Sequence, residues 1–213
     1  DISTGKEMTT TMSSISTKLT AIESGSAILN VTPISTILTN IVKATADAST
    51  SGSTTIDASI LTSSTSKLAT TFGISAETIT SDFIAESNTA ITKLVQQIEV
   101  IVNTLTSAIN STDVNQDSVM ASLTNTIIKI ANDTTITNKT INLSSTQDIS
   151  DIVSQVANDN IEVIVSADII TNTTSFIQAV NTDISNIDVT ASFEEIFVKA
   201  TQITVSTETI TSA

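Results

Sequence analysis

Three short patterns hold the residues that could do chemistry. Ser64-Thr65-Ser66-Lys67 sets a hydroxyl and an amine one helical turn apart, the Ser-x-x-Lys spacing of some serine acyltransferases. The partner motifs of those enzymes are missing and serine is abundant, so a solvated helix face is the competing reading. Glu194-Glu195 offers two adjacent carboxylates, but neighbours on a helix point to different sides, which suits solvent contact better than a shared-proton dyad. Asp113, Asn115 and Asp117 place oxygen donors at positions 1, 3 and 5 of an EF-hand-like loop, the donor set that calcium prefers. Position 6 is Ser118 where glycine makes the turn, and position 12 is Thr124 where a bidentate Glu belongs. The alternative is an ordinary loop in which Asp117 caps the following helix. Calcium is therefore the one candidate ion, and no other cofactor is expected.

The rest of the alphabet is poor in catalytic groups. Histidine, cysteine, tryptophan and tyrosine are absent, and all 8 basic residues are lysines. General acid–base work near neutral pH then falls to lysines or carboxylates perturbed by their surroundings, so no enzymatic activity is expected. The formal charge of −14 and the lack of arginine argue against nucleic-acid binding and against anionic lipid surfaces. With only 5 aromatic residues, all Phe, stacking on sugar faces is disfavoured as well. Six Asn-x-Ser/Thr sequons, at Asn30, Asn110, Asn132, Asn138, Asn142 and Asn172, are about what chance gives in a chain that is about one-third Ser and Thr.

These residues need a scaffold, and 213 residues suffice for one large domain or two small ones. Ile, Val, Leu and Phe supply about 29 % of the chain, above the roughly 20 % below which acidic chains stay disordered, so a folded core is expected. The apolar stretches Leu94 to Val102 and Ile161 to Ile170 are interrupted by polar residues and are too short to span a membrane. The chain starts at Asp1 without an initiator Met, which suits a processed secreted protein or a segment of a longer one.

Four Gly and one Pro leave little turn chemistry for a many-stranded protein, so the reading is mainly α: a helical bundle with extended or β-like arms. Thr32-Pro33 is a hydroxyl N-cap followed by proline at the first helical position. It opens a helix through Ile34, Ile37, Leu38, Ile41 and Val42, ending near Ala46. After a Ser49 to Thr55 linker, a second helix runs through Ile60, Leu61, Leu68 and Phe72 to a C′ glycine at Gly73, and Ser75 starts a short third. The strongest periodicity runs from Asn88 to Asn110, with Ile91, Leu94, Val95, Ile98, Ile101, Val102, Leu105 and Ile109 on one stripe and Gln96, Gln97, Glu99 and Asn103 on the other. Helices are predicted over about Asp117 to Ala131, Thr146 to Ala157 and Thr190 to Thr201, the last with Phe193, Ile196 and Phe197 on one face. Asn132 to Ser145 suits a loop or short strand, and the type of Ile161 to Ile184 stays open. Residues 1–31 and 202–213 are Thr-rich and alternate loosely, as extended or β-like N- and C-terminal arms flanking a helical body over 32–201.

From Asp1 to about Ala85 the order of motifs resembles a helical domain of large secreted and cell-surface bacterial proteins, adhesin-like chains built from Ig-like or calcium-binding repeats. The matching residues are Asp1-Ile2-Ser3-Thr4-Gly5-Lys6-Glu7, Val31-Thr32-Pro33-Ile34-Ser35-Thr36-Ile37-Leu38, and Phe72-Gly73-Ile74 with Asp82-Phe83-Ile84-Ala85. Phe83 stands where that family usually has proline. The resemblance implies an extracellular or cell-surface module without catalytic residues. The expected function is thus structural: an adhesin domain, surface layer or filament subunit, forming homo-oligomers or polymers through strand addition by the arms and meeting other extracellular surface proteins. A calcium- or ligand-binding module of a large secreted adhesin is the alternative.

Overall fold

A computed structural model describes residues 32–49, 58–80, 83, 86–109, 115–132, 140–159, 167–188, 190–192 and 194–202. The arms over 1–31 and 203–213 lie outside the described residues. The described chain is helical, with no strand: α1 (Pro33–Ser49), α2 (Ala58–Phe72), α3 (Ala76–Thr80), α4 (Thr89–Ile109), α5 (Gln116–Asn132), α6 (Thr146–Asp159), α7 (Ala167–Ser185) and α8 (194–202). Among the described residues no helix is long and apolar enough to cross a membrane.

Several starts are written in nearby polar side chains. Thr32 Oγ1 accepts from Ser35 N (3.2 Å) while Ser35 Oγ accepts from Thr32 N (2.9 Å), a reciprocal box in which serine takes the usual place of Glu. Ser75 Oγ accepts from Thr78 N (3.2 Å) ahead of α3, and Asn88 Oδ1 accepts from Ile91 N (3.4 Å) ahead of α4. Ser145 Oγ accepts from Asp148 N (3.4 Å), and Asp148 reaches back to Asn142 N (2.8 Å). The α2 terminus is a Schellman motif: Ile74 N donates to Ala69 O (3.0 Å) and Gly73 N to Thr70 O (3.2 Å), with Gly73 at φ 66°, which glycine adopts without penalty.

Several boundaries depart from expectation. α1 runs on to Ser49, absorbing the start of the expected linker. The ambiguous segment resolves as helix from Ala167, with 160–166 outside the described residues. Residues 140–145 form turns rather than a strand, and plug Ile141 and Leu143 into the core. The last helix continues through 202, one residue into the expected C-terminal arm.

α4 is the axis. It packs most extensively against α7 and also against α5 and α1; α6 bridges α7 and α5, while α2 lies on α1 and α5 with α3 beside it. Ile34, Ile37, Leu68, Ile91, Ile98, Ile101, Leu123, Ile127, Ile149, Ile152 and Ile177 join one large core, each contributing about 1.5–3 kcal/mol relative to exposure. A second, smaller cluster joins Val100, Val180, Ile184, Ile187, Ala191, Ile196 and Ala200, and Phe176 touches both.

A chain so rich in hydroxyls must bury some of them. Most solve this within their own helix: Thr39, Thr65, Thr124 and Thr126 donate to the carbonyl four residues back, to Ser35, Leu61, Met120 and Ser122, at 2.8 to 3.0 Å. A helical threonine that satisfies itself this way packs as a methyl group towards its neighbours, so burial costs little.

Candidate functional site

The Ser-x-x-Lys pair does not assemble a nucleophile at the surface. Ser64 is 1 % exposed within α2, and its Oγ has no hydrogen-bond partner among the described residues, whereas Lys67 is exposed. The expected solvated face therefore holds for Lys67 and fails for Ser64, because position 64 falls on the side of α2 that meets the core beside Leu68.

Glu195 caps rather than pairs. Its Oε2 accepts from Ser192 N (2.8 Å) and its own N donates to Ser192 Oγ (3.3 Å), a capping box that starts α8. The backbone hydrogen bond from Ser192, then the Ser192 side chain and the nearby Lys199 ammonium, hold the Glu195 carboxyl below its ordinary range. Two turns earlier, Asp188 accepts from Thr190 N and Thr190 Oγ1, both at 2.9 Å. Those two bonds, backbone first, lower the Asp188 carboxyl, with Lys199 and Lys93 adding to the effect.

Of the calcium candidates, Asp113 lies outside the described residues. Asn115, not Asp117, caps α5: its Oδ1 accepts from Ser118 N (3.0 Å) and Ser118 Oγ accepts from Asn115 N (3.0 Å). Asp117 sits exposed in the first turn, where its charge complements the helix dipole. Because α5 begins at Gln116, the positions of an EF-hand-like loop from Gln116 to Thr124 are helical, and the Thr124 hydroxyl is committed to Met120 O at 2.8 Å. Among the described residues no group of three or more acidic side chains stands where it could hold a metal.

The most densely organised polar site is one that the periodicity conceals. Gln97, expected on the solvent stripe of α4, is buried, and its Nε2 donates to Asn181 O (2.9 Å), Ser185 Oγ (2.8 Å) and Ser144 Oγ (3.2 Å). Gln96 beside it is buried too. Ser144 Oγ lies 2.8 Å from Ser185 Oγ and donates to Asn181 O (3.1 Å), while Asn181 Nδ2 donates to Leu143 O (2.8 Å). Asn181 is fully buried and its Oδ1 is unpartnered among the described residues. Lys93, one turn before Gln97, donates to the carbonyls of Ser185 and Ile187 and so closes the C-terminus of α7 with a positive charge. The node contains amides and hydroxyls with no titrating base among them, and what it does is hold α4, the 140–145 turns and the end of α7 in one register. The adjacent Gln96-Gln97, set between Leu94-Val95 and Ile98, was the sequence signal for it.

Compared with known proteins, the chain matches no family model, no curated protein and no solved structure.

Proposed function

We propose that this chain is a structural, non-catalytic module of an extracellular bacterial surface assembly, as an adhesin domain, surface-layer unit or filament subunit, and that copies associate through strand addition by the terminal arms. The observation that carries this reading is how the polar side chains are used. Carboxylates and amides that sequence alone could offer to substrate or metal, Asn115, Asp148, Asp188 and Glu195, accept backbone N–H bonds at turns and helix starts. The best-connected polar cluster joins three segments of the fold. A surface of hydroxyls and −14 charges over an Ile- and Val-rich interior suits a durable body that stays dispersed until its termini engage.

Electron microscopy of the purified chain tests the reading directly, with ordered fibres or sheets expected. Deleting residues 1–14 or 203–213 should abolish them; polymers that survive both deletions would rule out strand addition. Calorimetric titration with calcium separates this reading from the calcium-module alternative, the expected result being no heat and no change in melting.

A further inference from the structure

The C-terminus of α2 is completed by residues from far along the chain. Ala69 O accepts from Ile74 N and Thr70 O from Gly73 N, both local, but Thr71 O accepts from Ile141 N at 2.7 Å. Thr140 lies over the same turn, since a Cβ built on Gly73 would stand 3.5 Å from Thr140 Cγ2. Two residues beyond Ile141 the segment is held at its other end. Leu143 O accepts from Asn181 Nδ2 (2.8 Å), while Ser144 Oγ donates to Asn181 O (3.1 Å) and accepts from Gln97 Nε2 (3.2 Å). Between the anchors the backbone is stitched to itself and to the start of α6: Ser144 N donates to Asn142 Oδ1 (2.9 Å), Ser145 N to Asn142 O (2.8 Å) and Asn142 N to Asp148 Oδ2 (2.8 Å). Ile141 and Leu143 are both buried in the large core. A connector this short and this internally bonded has little slack in which to absorb a displacement at one end before it reaches the other.

We propose that residues 140–145 are a two-ended latch: they seat only while the α2 terminus and the node between α4 and α7 both hold them, so loosening either end releases the other. The seated and released arrangements are the two states, and each anchor biases the same equilibrium. On release, Thr71 O and Asn181 Nδ2 lose their partners and Ile141 and Leu143 leave the core, losses that fall together because three residues carry all of them. The latch joins parts of the bundle that pack on different neighbours, α2 on α1 and α5, and α7 on α4 and α6. It thereby makes the α2 corner and the end of α7 respond as one unit, whether or not copies of the chain associate.

Amide exchange on the full chain, followed by NMR, tests the latch from both ends. Gln97→Leu acts at the node, and the amides of Ile141 and Ile74 at the α2 terminus should then lose at least about 10-fold more protection than the amide of Leu123 in α5. Ser144→Ala removes the hydroxyl that the node grips while leaving α4 and α7 unchanged, and gives the same reading if Gln97→Leu does not fold. Gly73→Ala acts at the opposite end by forcing a Cβ onto a backbone at φ 66°, and the buried side-chain amide protons of Asn181 should exchange at least about 10-fold faster. Ile101→Ala removes no bond of either anchor and should produce no excess loss at Ile141 and Ile74 over Leu123; an equal excess there would mean general loosening and overturn the latch. Loss confined to the mutated end, in either direction, would also overturn it, because coupling between two sites is reciprocal.

Discussion

The large core and the α8 corner use the same apolar residue types but meet their polar obligations in opposite ways. In the core, Thr39, Thr124 and Thr126 bond within their own helix, so a helix can be placed there by its apolar face alone. At the corner, Gln97, Ser144, Asn181 and Ser185 find their partners across three segments, and the register of α7 on α4 is set by those bonds together with Lys93. Depth of burial does not distinguish the two, since Asn181 is as enclosed as Ile101. The difference lies in whether satisfaction is local. A locally satisfied region tolerates sliding until packing stops it, while a cross-linked polar node admits one alignment.

This contrast can be broken or sharpened by substitution. Ile101→Ala, at the centre of the large core, should cost about 2–5 kcal/mol of global stability in urea unfolding. Gln97→Leu, of similar size, removes a donor shared by three acceptors and should cost about 1–3 kcal/mol. A neutral result there would mean that apolar packing alone aligns α7. Ile196→Ala should lower the global midpoint less than Ile101→Ala, because Ile196 belongs to the smaller of the two apolar clusters, and should speed amide exchange over 194–202 by at least about 10-fold. If both isoleucine variants melt the whole molecule equally, the corner is no separate unit.

The smallest effect concerns pH. Asp188 and Glu195 have carboxyls held below their ordinary values by Thr190 and Ser192, so their contribution is complete above the ordinary carboxylate range. It is lost as pH falls through the lowered folded values. Protection of the 194–202 amides, corrected for intrinsic exchange, should therefore drop in acid while α4 stays protected. Glu195→Gln should flatten part of that dependence, since an amide does not titrate in this range.

Much of the fold is legible in the linear chain. Thr32-Pro33, Phe72-Gly73 and Ser75 mark helix ends through bonds between residues at most five apart, and the α4 stripe announces its core side. The candidate sites were less legible. Asn115 takes the capping role assigned to Asp117, a shift of two residues that depends on where the backbone enters the first turn. Ser64 turns out buried because α2 meets α1 and α5, neither of which its own pattern names. Gln97 looks like a solvent residue until α7 arrives, with Asn181 84 positions further along the chain.

Sequence by itself determined that this protein is mainly helical, where several helices start and stop, and which apolar stripes face inward, because capping and periodicity act over one or two turns. Tertiary structure alone decided which polar side chains go inside and which apolar cluster α8 joins. Burial is a property of the neighbours that close over a residue. For Gln97 that neighbour, Asn181, lies 84 positions along the chain, beyond the reach of any local pattern.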